Sequence, residues 1–163
     1  MGAGMTDDGN DRGRGYARRD HQKVALGFGI VFVLVGIAGF LPGITTGTLS
    51  FAGPISSAKL LGLFEVSVLH NLVHLLYGIV GIIAAANGTL SRYYLIWGGV
   101  VYLLLWIYGL IVTGVRTPVN FVPLNDPDNW LHFGLGVIMA GMGLFVGRSA
   151  PTDIPGQPRS ASR

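Results

Sequence analysis

No charged side chain interrupts the twenty residues Tyr93-Tyr-Leu-Ile-Trp-Gly-Gly-Val-Val-Tyr-Leu-Leu-Leu-Trp-Ile-Tyr-Gly-Leu-Ile-Val112. As an α-helix this stretch rises about 30 Å, at about 1.5 Å per residue, which matches the hydrocarbon core of a bilayer. The stretch therefore predicts a transmembrane helix, and the other apolar segments are interpreted outward from it.

Three further segments fit the same interpretation. Val24 to Leu41 is an uncharged apolar run of 18 residues. The next region is cleanly apolar only from Leu75 to Ala86, about 18 Å as a helix, so a span that ends there must extend back to about Ser67. The last segment follows Asp126, a predicted N-cap with proline after it. The predicted spans are 24–41, 67–86, 93–112 and 130–146.

The composition agrees with an integral membrane protein. Half of the residues are apolar and 12% are charged, against about 25% charged in soluble proteins. The charges crowd the two ends, which predicts disordered cytoplasmic tails at 1–23 and 148–163 around a transmembrane domain at 24–147. Because the sequence has no cysteine, thiolate catalysis, iron–sulfur clusters and cysteine-bound zinc are excluded.

The basic residues predict the orientation of the chain. With the N-terminus in the cytoplasm, nine basic residues lie inside and two, Lys59 and Arg116, lie outside, as the positive-inside rule requires. Both termini are therefore predicted to be cytoplasmic. The basic tail is expected to lie against anionic head groups, and no nucleic-acid partner is predicted. The nine inside are Arg12, Arg14, Arg18, Arg19, Lys23, Arg92, Arg148, Arg159 and Arg163.

The first span resembles the third, and the second resembles the fourth. Five of twelve positions are identical when Gly29 to Phe40 is aligned with Gly99 to Leu110. The second and fourth spans share the pattern Asn-x-x-His-apolar-x-x-Gly, at Asn71 to Gly78 and at Asn129 to Gly136. These patterns predict an all-α integral membrane bundle of four transmembrane helices, built by tandem duplication of a two-helix hairpin.

Polar residues inside these spans are the candidate functional residues. His70 and His74 are four positions apart and share one helical face. His132 is expected at a similar depth on the facing helix. Small residues at three- and four-residue spacing continue each histidine face and predict close helix packing. These packing residues are Gly78 and Gly81 in the second span, and Gly136, Gly143 and Gly147 in the fourth.

The leading interpretation of these polar residues is structural. A neutral imidazole donates at one nitrogen and accepts at the other, so Asn and His side chains on facing helices can form a hydrogen-bonded polar layer. The predicted layer consists of His70, Asn71, His74, Asn129 and His132.

Three alternatives use the same side chains. His70, His74 and His132 are candidate haem or metal ligands, with Glu65 as a further metal ligand, or the histidines form a proton relay. The leading interpretation includes no cofactor, and it places Glu65 at the membrane interface. The aromatic residues Tyr93, Tyr94 and Trp130 are expected in an interfacial belt.

Several segments of the chain resemble those of a known protein family. The segment Phe64-Glu-Val-Ser-Val-Leu-His-Asn-Leu-Val-His-Leu-Leu-Tyr-Gly78, with Asn120 to Asn125 and Asn129-Trp-Leu-His132, resembles the bacterial membrane-protein family called domain of unknown function 4383. The resemblance covers roughly Val24 to Gly147. It implies a small four-helix membrane protein, found chiefly in high-GC Gram-positive bacteria, and it supplies no activity, cofactor or catalytic residue.

The functional hypothesis is a non-enzymatic, multi-pass protein of the bacterial plasma membrane. With almost no mass outside the bilayer, it is expected to act as an accessory or assembly subunit of a larger membrane complex, or as a homo-oligomer. The alternatives are a haem- or metal-binding redox protein that uses the intramembrane histidines, and a small solute or proton transporter.

Overall fold

Four α-helices and three short β-strands make up the fold. The computed structural model describes residues 15–53, 56–113 and 119–147, so the predictions for tail residues 1–14 and 148–163 and for Arg116 lie outside the described residues. The four predicted helices are confirmed, and α1 and α3 are long and apolar enough to cross a membrane by length and composition. The elements are α1 Asp20–Ala38, β1 Thr45–Thr46, β2 Lys59–Leu60, β3 Phe64–Glu65, α2 Val68–Ala84, α3 Gly88–Val112 and α4 Asp126–Phe145.

Helix α1 begins earlier than the sequence predicts. Residues 20–23, assigned to the disordered tail, are helical instead. Gln22 accounts for this difference: it is fully buried, and its Nε2 donates to the carbonyl oxygen of Ala85 at 3.0 Å. Its Oε1 accepts from the Arg19 N–H at 2.8 Å. Asp20 in the first turn also suits the positive end of the helix dipole.

Side-chain caps fix the starts of the other helices. Ser67 Oγ accepts from the His70 N–H at 3.1 Å at the start of α2, and Asn87 caps α3 at Gly88, five residues before the predicted span. The predicted cap of α4, Asp126, is wrong by one position. Asn125 is the cap, because its Oδ1 accepts from the Asp128 N–H at 3.0 Å.

A small antiparallel sheet lies between the first and second predicted spans. The strands lie in the order β1-β2-β3, with Lys59 opposite Glu65 and Leu60 opposite Phe64. Leu60 is buried with Ala58 and Val66, and Val35 and Ala38 of α1 pack against this small core. The sheet thus covers the end of α1, beside the start of α2.

Glycine contacts join α1 to α2 and α3 to α4. A Cβ on Gly29 would lie 2.8 Å from the carbonyl oxygen of Gly78, and a Cβ on Gly99 would lie 2.7 Å from that of Gly136. Both distances are shorter than any real Cβ contact, so only glycine allows these backbones to approach. The two contacts are at matching positions of the aligned segments.

A second pair of matching contacts lies at the opposite end of the hairpins from the sheet. Gln22 of α1 donates to Ala85 at the end of α2. Arg92 Nε donates to the carbonyl oxygen of Gly143, near the end of α4, also at 3.0 Å. Arg92 aligns with Gln22, and Gly143 aligns with Ala85. The two hydrogen bonds therefore join matching positions in the two helix pairs.

The surface of the helices is apolar and the interior holds polar groups. Buried polar side chains include His70, Asn71, Ser91, Asn129 and His132. Large apolar side chains point outward from every helix, which reverses the arrangement of a water-soluble bundle. Exposed examples are Val31 and Leu34 of α1, Leu76 and Ile83 of α2, Trp97 and Leu104 of α3, and Ile138 and Phe145 of α4.

Candidate functional site

The structure brings three histidines of the predicted polar layer together, and we call them the histidine cluster. His70 and His74 lie one turn apart on α2 with ring centroids 4.6 Å apart, and His132 of α4 lies 6.2 Å from His70. His70 and His132 are buried and His74 is half-buried. The facing helices therefore place the imidazoles at one level of the bundle.

The two asparagines of the predicted polar layer turn toward glycines on the neighbouring helix. Asn71 Oδ1 packs on Gly39, and Asn129 Oδ1 packs on Gly109, at matching positions of the two helix pairs. A Cβ on either glycine would overlap the amide oxygen. The asparagines thus fill the gap that each glycine leaves.

The hydrogen bonds expected between Asn and His side chains do not form within residues 15–53, 56–113 and 119–147. The Nδ1 atoms of all three clustered histidines lack a partner there, as do both amide atoms of Asn71 and Oδ1 of Asn129. A buried polar atom without a partner costs about 1–3 kcal/mol. The cluster therefore retains unused hydrogen-bonding capacity in the middle of an apolar bundle.

Four aromatic rings continue the histidine cluster through the bundle, and we call them the aromatic column. Tyr102 lies 5.3 Å from His132 between ring centroids, Phe32 lies 5.4 Å from Tyr102, and Tyr77 lies 5.0 Å from Phe32. Tyr94 completes the column at 4.9 Å from Tyr77.

Sequence reasoning missed most of this column. Tyr94 was expected in the interfacial belt but is buried, whereas Tyr93 and Trp130 are exposed. The belt interpretation failed for Tyr94 because neighbouring positions on a helix face different directions. The sequence did contain a signal for an aromatic ring at Tyr102, because Tyr102 aligns with the aromatic residue Phe32 in the internal repeat.

Asp128 is a further buried group beside the cluster. It lies four residues before His132 on α4, just as His70 lies four before His74 on α2, and it aligns with His70. Its Oδ2 accepts from the backbone N–H of Glu65 at 2.9 Å and from that of Asn125 at 3.2 Å.

The environment of Asp128 favours its neutral form. The residue is 2% exposed and lies before the predicted fourth span. Burial raises the pKa of its carboxyl to about 7, the nearby Glu65 also raises it, and the hydrogen bonds from the two backbone N–H groups oppose the shift. Glu65 itself is half-buried in β3 and reaches this site through its backbone.

The remaining predicted residues occupy helix contacts. Gly78 and Gly136 face α1 and α3, Gly81 packs on Tyr94, and Gly143 packs on the backbone of α3 at Ile96. Gly147 lies beyond α4 with φ +78° and faces His21.

The histidine cluster does not have the geometry of a metal centre. Within the described part of the chain, no three His, Asp or Glu side chains are arranged to hold a metal ion. The ring centroids of His70 and His132 lie 6.2 Å apart, and the haem alternative with His70, His74 and His132 as ligands stays a prediction.

One family matches the chain. The sequence model described as domain of unknown function (DUF4383) matches residues 22–145, from the first turn of α1 to the last residue of α4. No curated protein and no solved structure matches. The matched segment contains the histidine cluster, the aromatic column and Asp128.

Proposed function

The chain belongs to the DUF4383 family, and from that premise we propose that it is a four-span protein of the bacterial plasma membrane with both termini in the cytoplasm. The apolar outer faces of α2 and α4 support four spans, because they match those of α1 and α3. At about 1.5 Å per residue, α2 rises about 25 Å, and the part of α4 from residue 130 to residue 145 rises about 24 Å. In water these faces would expose far more apolar surface than soluble monomers do.

We also infer that the bundle arose by tandem duplication of a helical hairpin. Gly29 and Gly99 make the same backbone contact, and Gln22 and Arg92 bind the same helix-end carbonyl. Two apolar sequences can align by chance. The apolar composition does not by itself explain why aligned residues of the two hairpins make the same contacts. The second hairpin therefore repeats the packing of the first.

The proposed role is that of a non-enzymatic accessory or assembly subunit of a larger membrane complex. One observation carries it: the apolar faces of four helices are free while the polar groups are enclosed between them. Such a bundle has apolar surface that other membrane helices can pack against. Buried polar groups would hold the hairpins in register.

Gentle extraction from native membranes tests this role. After solubilisation in a mild detergent, native mass spectrometry is expected to show the chain bound to a second membrane protein in fixed stoichiometry. Detergent in which the complex dissociates serves as the control. A lone monomer or a homo-oligomer under every mild condition would remove the accessory role and leave the four-span architecture untouched.

A second candidate, proton transfer through the bundle, is favoured by a specific observation. The histidine cluster and the aromatic column form one continuous series of ring contacts, in which the hydroxyl groups of Tyr77 and Tyr94 interact with each other. An imidazole or hydroxyl accepts one proton while it releases another, so such a series, with intervening water, provides a relay.

Proton flux into vesicles checks this candidate. With a potassium diffusion potential and an enclosed pH dye, Tyr102→Phe is expected to lower the flux at least about tenfold, since it removes one buried hydroxyl from the series. The aligned position, Phe32, shows that phenylalanine fits this environment. Tyr93→Phe, which removes an exposed hydroxyl, is the matched control. Flux equal to that of empty vesicles, or unaffected by Tyr102→Phe, rules the relay out.

A further inference from the structure

The turn between β2 and β3 holds a leucine in a backbone conformation that leucine rarely adopts. The Leu63 N–H donates to the carbonyl oxygen of Leu60 at 3.0 Å, so Leu61 and Gly62 are the central residues of a β-turn. Both have positive φ, +54° at Leu61 and +70° at Gly62. Glycine adopts such angles freely, but the Cβ of a leucine makes them unfavourable. We call residues 61–63 the leucine tip.

The stability of the turn does not explain the leucine at position 61. A turn with positive φ at both central residues favours the pair Asn-Gly, and an asparagine side chain also suits water. The Leu61 side chain is instead 72% exposed, and that of Leu63 is 49% exposed. The leucine tip thus combines an unfavourable backbone conformation with exposed apolar surface. A contact from outside the chain would stabilise this arrangement.

The sheet that carries the leucine tip lies beside the last turns of α1. Its small core packs against Val35 and Ala38, and both residues belong to the predicted first span, 24–41. In β1, the Thr45 hydroxyl donates to the carbonyl oxygen of Ala38 at 3.0 Å. The sheet is therefore at the level where the predicted span ends, which is the expected level of the lipid head groups.

Exposed apolar side chains connect the outer face of α1 with the leucine tip. Ile37 lies on that face, and Leu41 and Ile44 follow it along the chain with exposed side chains. The Leu61 N–H donates to the carbonyl oxygen of Ile44 at 2.8 Å, so the tip directly adjoins this series. In the proposed architecture the outer face of α1 contacts lipid. The surface that continues it is therefore expected to contact lipid as well.

We propose that the leucine tip inserts into the outer leaflet of the membrane, at the boundary between the lipid head groups and the acyl chains. There the two leucine side chains leave water, as the apolar groups of interfacial segments do. The tip would also fix the depth of α4, because the Asn125 cap of that helix donates from Nδ2 to the carbonyl oxygen of Leu63 at 2.7 Å. The inference rests on the proposed four-span topology, which places the sheet at the extracytoplasmic surface.

Spin labels on single cysteines test the insertion in the full chain, reconstituted in vesicles of phosphatidylglycerol and phosphatidylcholine. The chain has no cysteine of its own, so each label reports one position. The label at Leu61→Cys is expected to collide with a water-soluble nickel complex at least about fivefold less often than the label at Thr46→Cys, because interfacial apolar groups lie about 5–10 Å deep. Thr46 is the matched control, since it is exposed in β1 of the same sheet. Collision with oxygen, which concentrates among acyl chains, should be more frequent at Leu61→Cys.

A second variant separates insertion from the conformation of the turn. With the label at Leu63→Cys, the added change Leu61→Asn is expected to raise nickel collision at least about twofold, since asparagine suits the turn but not the acyl chains. The melting temperature in detergent should not fall, because asparagine adopts positive φ more readily than leucine. If Leu61→Cys fails to fold, the label at Leu63→Cys applies the same criterion against Thr46→Cys.

The remaining outcomes separate the insertion from the proposed spans. Equal nickel collision at Leu61→Cys and Thr46→Cys overturns the insertion, and so does an immobile Leu61→Cys label shielded from both nickel and oxygen, which would place a protein surface against the tip. Leu34→Cys, on the exposed face of α1, tests the spans. A label shielded from nickel at Leu34→Cys but not at Leu61→Cys would reject the insertion and keep the spans, whereas nickel access at both positions would reject the spans.

Discussion

Gly99→Ala is expected to lower the free energy of unfolding by about 1–3 kcal/mol. The added Cβ would lie 2.5 Å from the backbone nitrogen of Ala140 and 2.7 Å from the carbonyl oxygen of Gly136. These are backbone atoms of α4, so no side chain can rotate away and the helices must separate. Thermal unfolding in detergent, followed by circular dichroism, measures the loss, and Gly29→Ala is expected to behave alike in the first hairpin.

The matched control is Gly134→Ala, on α4. Nothing lies within 4 Å of a Cβ at Gly134, and alanine in a helix interior gains about 0.5–1 kcal/mol over glycine. The same chemical change is therefore expected to have opposite signs at the two positions. Equal melting temperatures for Gly99→Ala and Gly134→Ala would mean that the glycine contacts do not hold the helices together.

The helices were predictable because their signals are local. An uncharged run such as Tyr93 to Val112 identifies a helix from composition, and the apolar run from Val24 to Leu41 does the same for α1. The starts of α1 and α4 were misplaced because they depend on side-chain bonds, those of Gln22 and Asn125, that no periodicity reveals. The sheet escaped prediction because its strands have two residues each.

The candidate site was predictable only in part. The spacing of His70 and His74 placed both rings on one face, and the repeat placed His132 at their level. The direction of the asparagines was not predictable, because it depends on which helix presents a glycine opposite them. Tyr94 and Asp128 were missed for the same reason, since burial follows from the rotation of a helix about its axis.

The pH dependence of stability should change in Asp128→Asn. The ordinary carboxyl pKa of 3.8 is raised to about 7 in the folded chain, so the folded state holds a proton that the unfolded state releases between these values. Stability due to this group is therefore fully present below pH 3.8 and falls as the pH rises toward 7, by up to about 4 kcal/mol. An asparagine does not titrate, and its oxygen can accept the same two backbone N–H groups.

The measurement is the difference in unfolding free energy between the unaltered chain and Asp128→Asn from pH 4 to 8. Asp128→Asn should gain relative stability with rising pH until about pH 7 and then level off. Asp126→Asn removes a carboxylate from the same helical turn, but its side chain is exposed, so it should show no such trend. A difference that does not change with pH would mean that the N–H groups of Glu65 and Asn125 fully stabilise the Asp128 carboxylate. The contact between α4 and the sheet would then be insensitive to pH.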